Sequence, residues 1–274
     1  MEQGEPAPFH NSFPYPMPKV LAFFCHPDDI ELLCAGTLRH LVQRGWELRC
    51  VTMTGGDLGA STGTREAIRS RRLKEAEAAA ERLGGSYACA GLDDLAIHYC
   101  EEQLRKVTRQ IRDFDPDVII THSPDCYMLD HEETSRLVRM GSFGAGIPLF
   151  EACGAAPTSK VPALYYADAI EFKDKFGKPV EAGFYVDVAA TFADRQEALA
   201  RHESQREWLR SHHGIDEYLI ANERMARECG EKASARSGGT TITHAEGFRQ
   251  HLGHGYPQRN ILAEALHDLA LVVP

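Results

Sequence analysis

The chain contains no long apolar run. None of its hydrophobic stretches approaches the roughly 20 residues that a bilayer-spanning helix needs. It also lacks a basic surplus: 30 Lys and Arg stand against 40 Asp and Glu, a net charge of -10. That balance argues against a nucleic-acid partner or an anionic membrane surface, since both select basic patches. The one dense basic cluster is Arg69, Arg71, Arg72 and Lys74. The eight cysteines form no Cys-x-x-Cys pair. Scattered thiols of this kind behave as small core residues and suit a reducing, cytoplasmic location better than a disulfide framework. The Pro-rich start, residues 1–18, has neither a basic leader nor an apolar core, so it reads as an extended arm rather than a signal peptide. A dinucleotide fingerprint is missing too, because Gly55-Gly56-Asp57-Leu58-Gly59 departs from Gly-x-Gly-x-x-Gly. With no repeat and no linker, residues 1–274 read as a single domain with a C-terminal helical elaboration.

What the sequence does have is a set of apolar strands that stop on polar residues. Val20 to Phe24 is short, continuous and apolar, the pattern of a strand buried on both faces, and it runs directly into Cys25-His26-Pro27-Asp28-Asp29. Trp46 to Thr54 and Pro116 to Thr121 read as further strands, the latter ending at His122 and Ser123. Ala163 to Glu171 and Gly183 to Val188 complete the strand pattern. Helix patterns cover Gly36 to Gly45, Arg65 to Leu83, Glu101 to Asp113, a segment opening at Asp130, most of Phe192 to Cys229 with a break near Gly214, and a short stretch from Ala245 to His251. The alternation implies the α/β class: a Rossmann-like, mainly parallel sheet flanked by helices.

Ligands in such sheets bind at the carboxyl ends of the strands. His26 and Asp29 lie three apart on a turn leaving the first strand, so both side chains can face one ion. A catalytic zinc commonly takes two His and one carboxylate and keeps a position open for water, whose pKa it lowers to about 7. His131, on the helix after the third strand, is the best candidate for the remaining ligand. Asp28 is then an uncoordinated carboxylate beside the ion, suited to act as general base. A competing reading makes Asp28 a helix N-cap with Glu31 as its capping-box partner, which leaves His26 unexplained. The same ligand set also suits Fe(II) or another divalent metal, although such oxygenase sites usually sit in β-barrels.

The run Phe24-Cys25-His26-Pro27-Asp28-Asp29-Ile30-Glu31, with Cys34-Ala35-Gly36-Thr37-Leu38, resembles the opening motif of the LmbE-like (PIG-L) zinc-dependent N-deacetylases. Thr52 to Asp57, Arg72-x-x-Glu75, Pro116 to His122 and Asp130-His131 continue the likeness in order, and Ala245-Glu246-Gly247-Phe248 resembles the family's C-terminal element. The resemblance implies one Zn2+ on His26, Asp29 and His131, with Asp28 as base. It implies a small N-acetylated amino sugar, or a conjugate of one, as substrate, held by Asp57, Arg72 and Asp94. It also implies a homo-oligomer, a trimer or hexamer, with no membrane or nucleic-acid partner. One departure stands out: Met128 occupies the place of a His that in many members polarises the acetyl carbonyl. His122, Tyr127 and His244 are the nearest replacements. The alternatives to a deacetylase are a sugar-binding member without activity and a non-heme iron enzyme. Specificity is expected in the loops Gly59 to Thr64, Ser142 to Lys160 and Ser234 to His244.

Overall fold

A computed structural model describes residues 17–213 and 217–273, the side chains of 211–213 apart. The Pro-rich arm therefore lies almost wholly outside the described residues, as does the helix break at Gly214. The chain runs β1 (Lys19–Phe24), α1 (Asp29–Leu33), α2 (Ala35–Gln43), β2 (Glu47–Thr54), α3 (Arg65–Leu83) and β3 (Ser86–Leu92). It continues with α4 (Glu101–Phe114), β4 (Val118–Thr121), α5 (Leu129–Gly144), β5 (Ala163–Ala167) and β6 (Phe184–Asp187). Then come α6 (Phe192–Leu199), α7 (Glu203–His213), α8 (Glu217–Ser234), β7 (Ala245–Gln250), α9 (Ile261–Ala265) and β8 (Ala270–Val272).

The eight strands form one sheet in the order β3-β2-β1-β4-β5-β7-β6-β8. The first five are parallel, and β7, β6 and β8 are antiparallel additions. The α/β class and the Rossmann-like parallel half are as the sequence pattern indicates. β1 is covered on both faces: Val20, Ala22 and Phe24 join one apolar cluster, and Leu21, Phe23 and Cys25 the other. Two-sided burial is why β1 reads as an unbroken apolar run. The strand order reverses between β1 and β4, and the crevice at such a reversal, at the strands' carboxyl ends, is where open α/β sheets bind ligands.

Two readings need correction. Ala245 to Gln250 is not a helix but strand β7, between β5 and β6. Its sequence hides this, because Glu246 is buried. Its carboxylate pairs with Arg195 at 2.9 Å and accepts the N–H groups of Gly36 and Thr37 at the start of α2. Gly247 is there for close approach, since a Cβ on it would lie 2.0 Å from Asp168 Oδ2. The apolar tail supplies β8, paired with β6 at the edge of the sheet. The strand from Ala163 ends at Ala167, and Ile170–Phe172 is a 3-10 turn. One strand, β3, was not recognised in the sequence.

Asp168, just past β5, is buried, and its Oδ1 has no hydrogen-bond partner. Burial pushes its carboxyl up to about 7, despite Lys232 and Arg249. An unfolded Asp ionises near pH 4. The native state therefore holds a proton that the unfolded chain has lost, so stability declines as pH rises from about 4 to about 7. Asp168→Asn is expected to stabilise the protein relative to the parent near pH 8 and to change little near pH 4. Urea denaturation at both ends of that range checks this; an equal effect at both would contradict the buried protonated carboxyl.

Candidate metal centre

The residues that follow β1 and those that follow β4 meet at this crevice. Asp29 is the hub. Its Oδ2 accepts the His26 backbone N–H at 2.7 Å and stands 3.1 Å from His122 Nε2. Its Oδ1 lies 3.6 Å from His131 Nε2, which is in turn 3.3 Å from His26 Nδ1. His26, Asp29 and His131 thus each offer a ligand atom, all within 4.8 Å of one another, and all three residues are buried. His131 is fixed by stacking on His122, ring centres 4.0 Å apart and nearly parallel. Burial, with the neighbouring His122, drives His131 down to about 3, so its imidazole is neutral and free to donate a lone pair. Burial opposes ionisation of Asp29, but His131 and His122 outweigh it and keep the carboxyl well below its usual range. Two imidazoles and a carboxylate converging from two strand ends fit a divalent cation with an open position.

A second group of possible ligands, Cys25, His26 and Asp130, shares His26 with the first. Burial pushes the Cys25 thiol up to about 12 despite His26 beside it, so without a metal it stays protonated at neutral pH. The far nitrogen of His26, Nε2, instead faces Asp94 Oδ1 at 3.0 Å. Asp94 Oδ2 accepts the Leu58 N–H at 3.1 Å, and Asp130 Oδ2 accepts that of Leu95 at 2.8 Å. A carboxylate on the remote nitrogen of a ligating His fixes its ring and tautomer.

Asp28 stands apart from its neighbour. Its backbone has φ 116, rare for a residue with a side chain, and although it precedes α1 its carboxylate makes no cap hydrogen bond. The capping-box alternative therefore fails, and the strain aims Asp28 elsewhere. Its Oδ2 receives Arg72 Nη2 at 3.1 Å. Burial raises the Asp28 pKa against the pull of Arg72, which favours proton uptake.

Arg72 is buried, and its guanidinium also donates to the carbonyls of Gly56 and Pro27, each at 2.8 Å. It forms no pair with Glu75, one turn on, which bonds Arg71 and Ser204. Asp57 is buried against Arg65 and Arg69, with Oδ1 unpartnered. Among the residues considered as replacements at Met128, His122 and Tyr127 border His131, with the Tyr127 ring 5.5 Å away. His244 stacks on Phe192 instead, remote from the cluster. Sequence reasoning missed His202, over 170 residues away, which pairs with Glu31 at 3.2 Å and whose charge lowers the Asp28 pKa, and Tyr218 of α8, whose hydroxyl is buried. No local motif marks either.

The fold and this centre are those of an α/β protein with a candidate divalent-cation site at the carboxyl ends of its parallel strands. Comparison with known proteins goes further. The family profile described as PIG-L, GlcNAc-PI de-N-acetylase, matches residues 21–140. A Bacillus anthracis protein, a probable N-acetyl-alpha-D-glucosaminyl L-malate deacetylase 2, is 29% identical over 196 residues, covering 68% of this chain and 80% of its own. The structure of N,N'-diacetylchitobiose deacetylase from Pyrococcus horikoshii superposes with a TM-score of 0.71 at 22% identity, over 89% of this chain and 87% of that one. The 4-carboxy-2-hydroxymuconate hydratase of Pseudomonas putida reaches 0.73 at 18% identity, over 89% of this chain and 100% of its own, a likeness of fold.

Metal analysis of purified variants tests the centre. His131→Ala is expected to lose bound zinc, and Asp94→Ala to weaken binding about 10–100-fold. Asp28→Asn is expected to keep it. A His131→Ala protein that retains the metal, or an Asp28→Asn protein that loses it, would contradict the assignment.

Proposed function

We propose that this chain is a zinc-dependent hydrolase that removes the acetyl group from an N-acetylated amino sugar or its conjugate, releasing acetate. The observation that carries the reading is the division of labour at Asp28-Asp29. Asp29 joins His26 and His131, while Asp28 is turned away from the ligand atoms and held by Arg72. Zinc, when bound, supplies Lewis acidity that acidifies water and polarises an acyl oxygen.

The chain's own groups do the rest. Asp28 accepts the proton of the attacking water and later returns it to the leaving amine, which frees the amino sugar. Burial suits it to this exchange by favouring its protonated form. Met128 offers the acyl oxygen no hydrogen bond. Tyr127, whose ring lies 5.5 Å from that of His131, carries a phenolic hydroxyl that stays protonated at neutral pH and is a candidate donor on that side. Asp57 Oδ1, the unpartnered oxygen beside the Gly55–Gly59 loop, is the best-placed acid for a sugar hydroxyl. Arg72 acts here on Asp28 rather than on the sugar.

The names of the Bacillus and Pyrococcus proteins support an N-acetylglucosaminyl compound as substrate. All eight cysteines are unpaired, which supports a cytoplasmic location, and no helix among the described residues is long and apolar enough to cross a membrane. The family resemblance supports a homo-oligomer.

Acetate release from a panel of N-acetylglucosamine derivatives checks the activity. The parent is expected to turn over at least one, to stop on chelation, and to lose roughly 10²–10⁴ in rate as Asp28→Asn. Turnover unaffected by both chelation and Asp28→Asn would refute the mechanism.

A further inference from the structure

The centre is lined by polar groups, but large apolar side chains stand in water around it. Leu95, Tyr127, Leu129 and Phe176 are between 64% and 77% exposed, and Leu58 is 44% exposed. Apolar residues scattered singly over a surface need no explanation, whereas a group of them rimming a polar cleft marks a binding surface. These five are tied to the centre one by one. Leu129 opens α5 two residues before His131, and the Tyr127 ring lies 5.5 Å from that of His131. The Leu95 N–H is held by Asp130 at 2.8 Å. Asp94, the carboxylate that faces His26, holds the Leu58 N–H at 3.1 Å.

Phe176 arrives from another direction. Between β5 and β6 the chain doubles back over residues 173–179, with Lys173 and Pro179 bridged in antiparallel fashion. This hairpin follows the carboxyl end of β5, which runs parallel to β4, so it rises on the same edge of the sheet as the ligands. Lys175 at its tip donates to both oxygens of Glu132, each at 2.9 Å, and its ammonium lies 6.0 Å from the Phe176 ring. Glu132 adjoins His131. The hairpin is thereby fastened beside the centre, its lysine already paired and the Phe176 ring left bare.

Two details set this rim apart from ordinary surface. Leu95 has φ 59, a left-handed backbone that is costly for a leucine and is kept here by the Asp130 carboxylate. Tyr127-Met128-Leu129 makes the entry to α5 an unbroken apolar run, at the place where the resembling family often carries a His.

We propose that this rim is the subsite for the part of the substrate beyond the sugar, and that this part is a small apolar group, an aryl or alkyl aglycone. A second sugar needs free donors and acceptors at the lip, and the ion pair of Lys175 and Glu132 is closed on itself. An apolar aglycone instead covers the bare side chains and releases the water over them. The proposal rests on the hydrolase reading above and adds to it the chemical class of the conjugate.

Calorimetry on the zinc-loaded Asp28→Asn protein measures this without turnover. Phenyl N-acetylglucosaminide is expected to bind roughly 10–100-fold more tightly than the methyl glycoside or N,N'-diacetylchitobiose, the effect of covering one ring. Phe176→Ser and Leu129→Ser, both at exposed side chains, are each expected to bring the phenyl-to-methyl ratio towards one. A ratio near one before substitution, a preference for the disaccharide, or a ratio unmoved by both substitutions would overturn the proposal. So would a change of oligomeric state in either variant on sedimentation, since the rim would then be a contact between copies of the chain. Acetate release from the same glycosides by the parent separates the two readings. If none is hydrolysed while the phenyl compound still binds more tightly, the hydrolase reading falls and the apolar subsite stands.

Discussion

The carboxylate of Asp29 is the contact on which the rest of the centre depends. It joins the turn after β1 to the loop after β4 by accepting from the His26 backbone while facing His122 and His131. Taken from water, such a charge would be prohibitive if left alone. The rings around it offset that cost and hold the carboxyl ionised. The apolar strands β1 and β4 are packed on both faces, so the loop ends they present have little freedom to drift.

Adjacent carboxylates in one sequence motif would ordinarily share one environment. Here the left-handed backbone at Asp28 separates them: Asp29 turns to the imidazoles, and Asp28 to Arg72. Strain of this kind persists only where surrounding contacts hold it. The buried guanidinium of Arg72 does so by bonding both the Pro27 carbonyl and the Asp28 side chain. Arg72 is thus part of the scaffold that holds Asp28. The carboxylate of Asp94 does similar work for His26.

Much of this was legible in the chain. The parallel half of the sheet announces itself because each strand is a short apolar run ending in polar residues. His26, Asp29 and His131 could be grouped because each falls at a strand's carboxyl end or on the helix that follows one. The antiparallel half was harder to read. β7 has a buried glutamate and a glycine where a strand pattern wants alternation, and both are explained only by partners distant in sequence, Arg195 and Asp168. β3, Ser-Tyr-Ala-Cys-Ala-Gly-Leu, is partly exposed along most of its length and carries little hydrophobic signal. His202 was invisible for a related reason: its value lies in which carboxylate the folded helices bring it to, not in any spacing along the chain.

The central claim is that two imidazoles and one carboxylate, and no thiol, hold the ion, although Cys25 and Cys126 each lie 3.3 Å from a ligand ring. X-ray absorption at the zinc edge of the loaded protein tests this directly. The account predicts only nitrogen and oxygen neighbours at about 2.0–2.2 Å, with the outer scattering of two imidazoles. A sulfur neighbour at about 2.3 Å would contradict it.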